Sequence, residues 1–217
     1  MVAIDSSFEP SPGARPETVN TGRLVGFAVL LTVLSAAVGF ALQDGAGWAT
    51  AADWCTRFAL LIFVAAMTVE PLSRLIPVSA LRTAARERAG LVMAFIAAMV
   101  LSIAFELAPW LVGGEPLPVT TAAYCLITGL ILTVMLFSNH PATIRLLGAP
   151  SWRAMQRIAS AYFWAAFMLI SMCRMIGPHR PDNWHGFALL LLVTAVLLRF
   201  MDAFVMHWRG GLAEKVG

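Results

Sequence analysis

Charge is what this chain has least of. Asp, Glu, Lys and Arg make up 12% of its 217 residues, about half the share found in soluble globular domains. Together with 59% hydrophobic residues and a mean hydropathy of +0.79, this excludes an ordinary soluble enzyme and indicates an integral membrane protein. The loops between apolar segments span only about 10 to 20 residues, which leaves no room for a separate soluble catalytic domain. Nucleotide or flavin chemistry would therefore need a partner. Cysteine is scarce as well: Cys55, Cys125 and Cys173 are isolated, with neither a CxxC pair nor metal-ligand spacing. Each reads as a small apolar side chain within a helix. The net charge of +3 does not indicate nucleic acid, because the basic residues sit in loops beside apolar segments, where they orient a chain in a membrane.

What the chain does have is six apolar runs. The first, Leu24 to Leu42, is nineteen residues without a charge, long enough to span a bilayer. The stretch ahead of it carries Asp5, Glu9 and several prolines and lacks the basic-then-short-apolar pattern of a signal peptide. An uncleaved helix behind a flexible cytoplasmic tail, 1–22, is expected. Further segments run from about Trp54 to Ile76, Ala89 to Trp110, Val119 to Ser138, Trp152 to Ile176 and Trp184 to Val205. The second is expected to end at Glu70-Pro71 or to continue beyond it as a kinked extension. In hydrocarbon every backbone amide must bond within its segment, so each run must be a helix. The expected fold is all-α, a six-helix membrane bundle over 23–208 with a short cytoplasmic tail, 209–217.

Basic residues give the orientation. Arg74, Arg82, Arg86 and Arg88 occupy the second loop, Arg145 and Arg153 the fourth with Arg157 just beyond, and Arg209 and Lys215 the C-terminal tail, whereas the first and third loops carry Asp44, Asp53 and Glu115. The positive-inside rule then places both termini in the cytoplasm. Trp48, Trp54, Trp110 and Trp184 fall at the opposite interface, and Trp152 and Trp208 at the cytoplasmic one. The stretches AMTVEPLSRLIP and LFSNHPATIRLLGAP each lead into a further helix, a faint echo of a repeated hairpin.

Few residues offer chemistry. Haem between helices needs inward imidazoles at membrane depth. His140 and His179 fall in loops, and His185 and His207 begin and end the last helix, about 33 Å apart at helical rise, too far to share one iron. Met93, Met99, Met168 and Met172 lie within helices, where thioethers serve as adaptable packing groups or as iron ligands. Glu70, Glu106, Arg174, Arg199 and Asp202 are the ionisable residues near membrane depth, all close to helix ends where snorkelling lowers their cost. Arg199 and Asp202, at i and i+3, are expected to form an ion pair. No acidic or histidine run threads the membrane centre, which argues against a proton pump.

In order, RFALLIFVAAMTVEPLSRL, RERAGLVMAFIAAMVLSIAF and ILTVMLFSNHPATIRLLGAPSWRAMQRIASAYFWAAFML resemble the ferric reductase-like transmembrane domain family, and most of all the haem-binding membrane subunits of bacterial methionine sulfoxide reductase systems. Glu70-Pro71-Leu72 with Arg74 stands where that family has a threonine-proline-leucine-arginine motif, and Ser138, Asn139, Arg145, Leu146, Gly148 and Trp152 match the loop after its fourth helix. The resemblance implies a haem b core with inward histidines, but Val100, Gln156 and Leu169 occupy the expected ligand positions. An apolar side chain cannot ligate iron, and glutamine is a poor substitute for imidazole.

The resemblance thus implies a haem-free member of the bacterial inner membrane that contacts lipids and another membrane or redox protein, as a structural, assembly or accessory subunit. Two alternatives stand beside it. One is a haem b electron-transfer subunit using ligands outside the family pattern, such as His140, His185 or a methionine. The other is a lipid or small-molecule carrier whose cavity replaces the haem around Val100, Gln156 and Leu169.

Overall fold

The computed structural model describes residues 21–42, 47–76, 78–114, 116–138, 141–176 and 183–216. The N-terminal tail, Asp44, Glu115, His140 and His179 lie outside the described residues. The architecture is all-helical: α1 (Thr21–Leu42), α2 (Gly47–Leu75), α3 (Ser79–Arg86), α4 (Arg88–Gly113), α5 (Val119–Ser138), α6 (Pro141–Ile176) and α7 (Asn183–Val216). Among the described residues five helices are long and apolar enough to cross a membrane: α2, α4, α5, the Pro150–Ile176 part of α6, and the Asn183–Trp208 part of α7. In α1 the apolar stretch is Val25–Val38. Residues 209–216, expected as a tail, continue α7 as helix.

Apolar sequence makes these helices, and their hydroxyls do not disturb them. Thr32, Ser35, Thr68, Thr133 and Thr194 each donate to the carbonyl four residues back, at 2.6 to 2.8 Å, so these five hydroxyls are satisfied within their own helices. Other hydroxyls join helices: Thr56 bonds Ser102 at 2.7 Å between α2 and α4, and Thr128 bonds Tyr162 at 2.9 Å between α5 and α6.

Helices α2, α4, α5, α6 and α7 pack in a ring in that order, α7 closing back on α2, and α1 lies against α2 and α4. Small residues at that last junction, Ala36, Ala51 and Cys55, are buried and let the three backbones approach. The ring's centre holds Phe63 of α2, Phe95 and Met99 of α4, and Phe163 and Phe167 of α6, all buried. Phe95 meets Phe163 edge to face at 4.8 Å between centroids, and Phe63 lies 5.3 Å from Phe95 and 5.7 Å from Phe167. These separations are those of favourable aromatic pairs.

Two backbone irregularities shape one end of the ring. Helix α2 does not stop at Pro71 but continues to Leu75. Proline removes the amide that would bond the carbonyl four residues back, here that of Met67. Arg199 of α7 donates its Nε to that carbonyl at 3.4 Å, so the freed acceptor is satisfied from a neighbouring helix. In α6, Gly148 has φ 74° and ψ 154°, a conformation essentially confined to glycine. It breaks α6 into a short leading helix and the apolar segment that starts at Pro150, where proline's missing amide costs nothing. The stretch after Ser138, expected as a loop, is therefore helical from Pro141 up to a glycine corner. Like α3, its leading helix sits between two long apolar helices.

Candidate functional site

Two of the three expected ligand positions do not face the middle of the bundle. Val100 is 52% exposed and lines a shallow outward groove between α4 and α5 with Ile96, Ile103, Gly129 and Leu132. Leu169 is 64% exposed on α6. Neither faces the interior, because the buried stripe of α4 runs through Ala94, Phe95, Ala98, Met99 and Ser102 and that of α6 through Ala159, Phe163, Phe167 and Ser171. Gln156 does turn inward, and its Nε2 donates to the buried Ser138 Oγ at 2.9 Å. The interior between α2, α4 and α6 is filled by the phenylalanine cluster. The expectation of a vacated pocket bounded by Val100, Gln156 and Leu169 is corrected accordingly: the three do not meet around a common space. Of the methionines, Met99 is in the core, Met93 and Met168 pack against it, and Met172 is exposed. His185 is half-buried at the start of α7 and His207 exposed near its far end.

The opposite character appears near the end of α2 and Arg199 of α7, where α4 and the apolar part of α6 begin. A cavity of about 660 Å³ is lined there by Glu70, Arg88, Ala89, Val92, Pro150, Trp152, Arg153, Gln156, Arg157, Ser160 and Arg199. The Gly148 corner sets up one wall. By starting a new helix at Pro150, it aligns Trp152, Gln156 and Ser160 at i, i+4 and i+8, with Arg153 and Arg157 on the adjacent row. Glu70 anchors the other side. Its Oε2 accepts from Arg88 at 2.6 Å and its Oε1 from Arg74, and Arg74 reaches on to Asp202 at 3.1 Å. A single chain of ion pairs thus ties α4, α2 and α7. The expected Arg199–Asp202 pair is replaced by this arrangement: Asp202 pairs with Arg74, and Arg199 serves the carbonyl that Pro71 leaves free.

Among the described residues the cavity's lining carries four arginines and one glutamate, and that glutamate accepts from two guanidinium groups. Trp152 adds a buried indole Nε1 that has no hydrogen-bond partner among the described residues. Of the motif Arg145, Gly148 and Trp152, the structure places only Trp152 on the cavity; Gly148 forms the corner and Arg145 is exposed on the leading helix.

At the other end, Arg57 pairs with Asp53 at 2.7 Å, and its guanidinium sits 5.4 Å from both the Trp54 and Trp184 rings. This clasp joins the starts of α2 and α7. Among the described residues no group of three or more His, Cys, Asp or Glu is placed to hold a metal ion. All three cysteines lie in helices, Cys55 and Cys125 buried and Cys173 exposed.

Sequence reasoning treated Arg88, Arg153 and Arg157 as orientation charges and missed their convergence with Arg199 and Trp152. The i, i+4 spacings within α6 were visible, but which neighbouring helices face them is a tertiary fact. Compared with protein-family models, curated proteins and solved structures, the chain matches none.

Proposed function

We propose that this chain is a haem-free, ferric-reductase-like protein of the bacterial inner membrane, with six transmembrane helices and both termini in the cytoplasm, acting as a structural, assembly or accessory subunit. The observation that carries the reading is the aromatic packing of Phe63, Phe95, Phe163 and Phe167 in the space between α2, α4 and α6, with Val100 and Leu169 turned outward. A bundle closed in this way keeps a membrane scaffold and gives up the centre in which an electron carrier would sit. Val25–Val38 of α1, lying on α2 and α4, supplies the sixth span. The clustering of Arg74, Arg82, Arg86, Arg88, Arg153 and Arg157 at one end supports a cytoplasmic placement of that end. A protein partner is the remaining route to activity, because no helix of this chain carries a redox or hydrolytic constellation among the described residues.

The test is spectroscopic. The full chain, expressed with haem supply and purified in mild detergent, is expected to show no Soret absorption. A stoichiometric Soret band that shifts on dithionite reduction would overturn the reading.

A further inference from the structure

We propose that the arginine-lined cavity between α2, α4, α6 and α7 binds a phosphate group, the chemistry shared by an anionic phospholipid headgroup and by free phosphate. Four observations converge on this ligand.

First, the charge surplus is real at the site. Glu70 is the only acid among the cavity's described lining residues, and its two oxygens accept from Arg74 and Arg88. Arg157 and Arg199 line the same space, and its described lining holds no further carboxylate. Secondly, Arg199 is held in place through its Nε by the Met67 carbonyl. Its two terminal nitrogens stay available, and a guanidinium fixed at one edge is pre-organised to grip an oxyanion at the other. Thirdly, the buried Trp152 Nε1 has a proton to donate and no acceptor among the described residues. Buried donors are nearly always satisfied, so an acceptor is expected there. Fourthly, two helix beginnings border the cavity: Arg88 and Ala89 open α4, and Pro150, Trp152 and Arg153 open the apolar part of α6. First-turn amides lack intrahelical partners and carry the positive end of the helix dipole, which makes such ends anion sites.

The donors approach from α4, α6 and α7, three separate directions. That geometry suits a tetrahedral oxyanion better than a planar carboxylate. The volume of about 660 Å³ falls within the range typical of small-ligand pockets, and the apolar side wall of Ala89, Val92 and Pro150 suits an amphiphile whose head lies at the bundle's end. Basic pockets between membrane helices are the usual receptors for anionic headgroups.

The full chain is reconstituted in nanodiscs of equal phosphatidylglycerol and phosphatidylcholine, re-extracted in mild detergent, and its retained lipid is counted by native mass spectrometry. Phosphatidylglycerol is expected to be retained roughly tenfold over phosphatidylcholine, since each charge-assisted contact is worth about one decade of affinity or more. The double variant R153Q/R157Q, which leaves the Arg199–Met67 contact intact, is expected to abolish that preference. Ala89→Phe, which fills the cavity without changing charge, is expected to do the same. A second arm titrates inorganic phosphate into delipidated protein and reads the tryptophan fluorescence that is lost in Trp152→Phe. Phosphate binding at Trp152 without a lipid preference identifies soluble phosphate as the source and upholds the site. The proposal is overturned by a lipid preference that survives both R153Q/R157Q and Ala89→Phe, or by a wild-type chain that shows neither lipid preference nor a phosphate response.

Discussion

The middle of the bundle and its arginine-rich end are built from the same four helices, yet they solve opposite problems. In the middle, Phe63, Phe95, Phe163 and Phe167 interlock and leave no polar group to satisfy. At the end, the same helices separate around a cavity of about 660 Å³ and carry Arg74, Arg88, Arg153, Arg157 and Arg199. Packing stabilises the first region; the second is held by ion pairs and by one borrowed carbonyl. The difference shows that a filled core and an open end coexist in one set of helices, because closing the core with aromatic rings does not require the helix ends to close as well.

The largest expected effect comes from opening the middle. Phe163→Ala removes a ring that contacts Phe63, Phe95, Phe167 and Tyr162. A loss of about 3 to 5 kcal/mol is expected, as for other large-to-small changes in a filled core. Unfolding in mixed SDS micelles measures it, and a loss below about 1 kcal/mol would show that the centre is not close-packed.

Next in size is the helix corner. Gly148→Ala places a Cβ on a backbone with φ 74° and ψ 154°, so a cost of about 1 to 3 kcal/mol is expected from conformation alone. The space around it is open, with only Pro150 Cδ at 3.8 Å, so crowding adds nothing. If the corner aims Trp152 and Arg153 at the cavity, the same variant weakens phosphate binding while the phenylalanine cluster stays intact, which near-ultraviolet circular dichroism reports.

The borrowed carbonyl gives a smaller and more specific effect. Arg199→Met leaves the Met67 carbonyl without a partner, at an expected cost of about 1 to 2 kcal/mol. In a Pro71→Ala background the residue at 71 supplies its own amide, so Arg199→Met is expected to cost less than half as much. Equal costs in the two backgrounds, read from the same micelle unfolding, would separate Arg199 from Pro71.

These effects mark how far the sequence could be read. Helix positions were legible because hydrocarbon leaves one solution for a long apolar run, and the ends of α5 fall at Val119 and Ser138, where apolar character begins and stops. The continuation of α2 past Pro71 was open in the sequence because it depends on Arg199, 128 residues beyond that proline and on another helix. The pairing of Asp202 was misread for a related reason. Spacing of i, i+3 permits a contact with Arg199, but Arg74 on α2 offers a closer guanidinium that Glu70 already orients. The outward turn of Val100 and Leu169 was hidden because both lie in helices that are apolar all round, where periodicity does not distinguish the lipid face from the interior.

That last ambiguity yields the prediction with the smallest expected effect. Val100→His and Leu169→His together would place imidazoles at two of the positions where the proposed reading expects the iron ligands of a ferric-reductase-like bundle. Both side chains stand outside the ring, 52% and 64% exposed, with Phe95, Phe163 and Phe167 filling the interior between their helices. No Soret band is expected from the double variant, and stability should change by no more than about 0.5 kcal/mol from packing, since neither site is buried. Adding Phe163→Ala to the same chain asks whether space alone was missing. Haem binding by the triple variant but not the double would mean that the helices can turn their histidines inward once the ring is removed. Haem binding by the double variant itself would mean that α4 and α6 present Val100 and Leu169 to each other, and the contrast between a closed middle and an open end would fail.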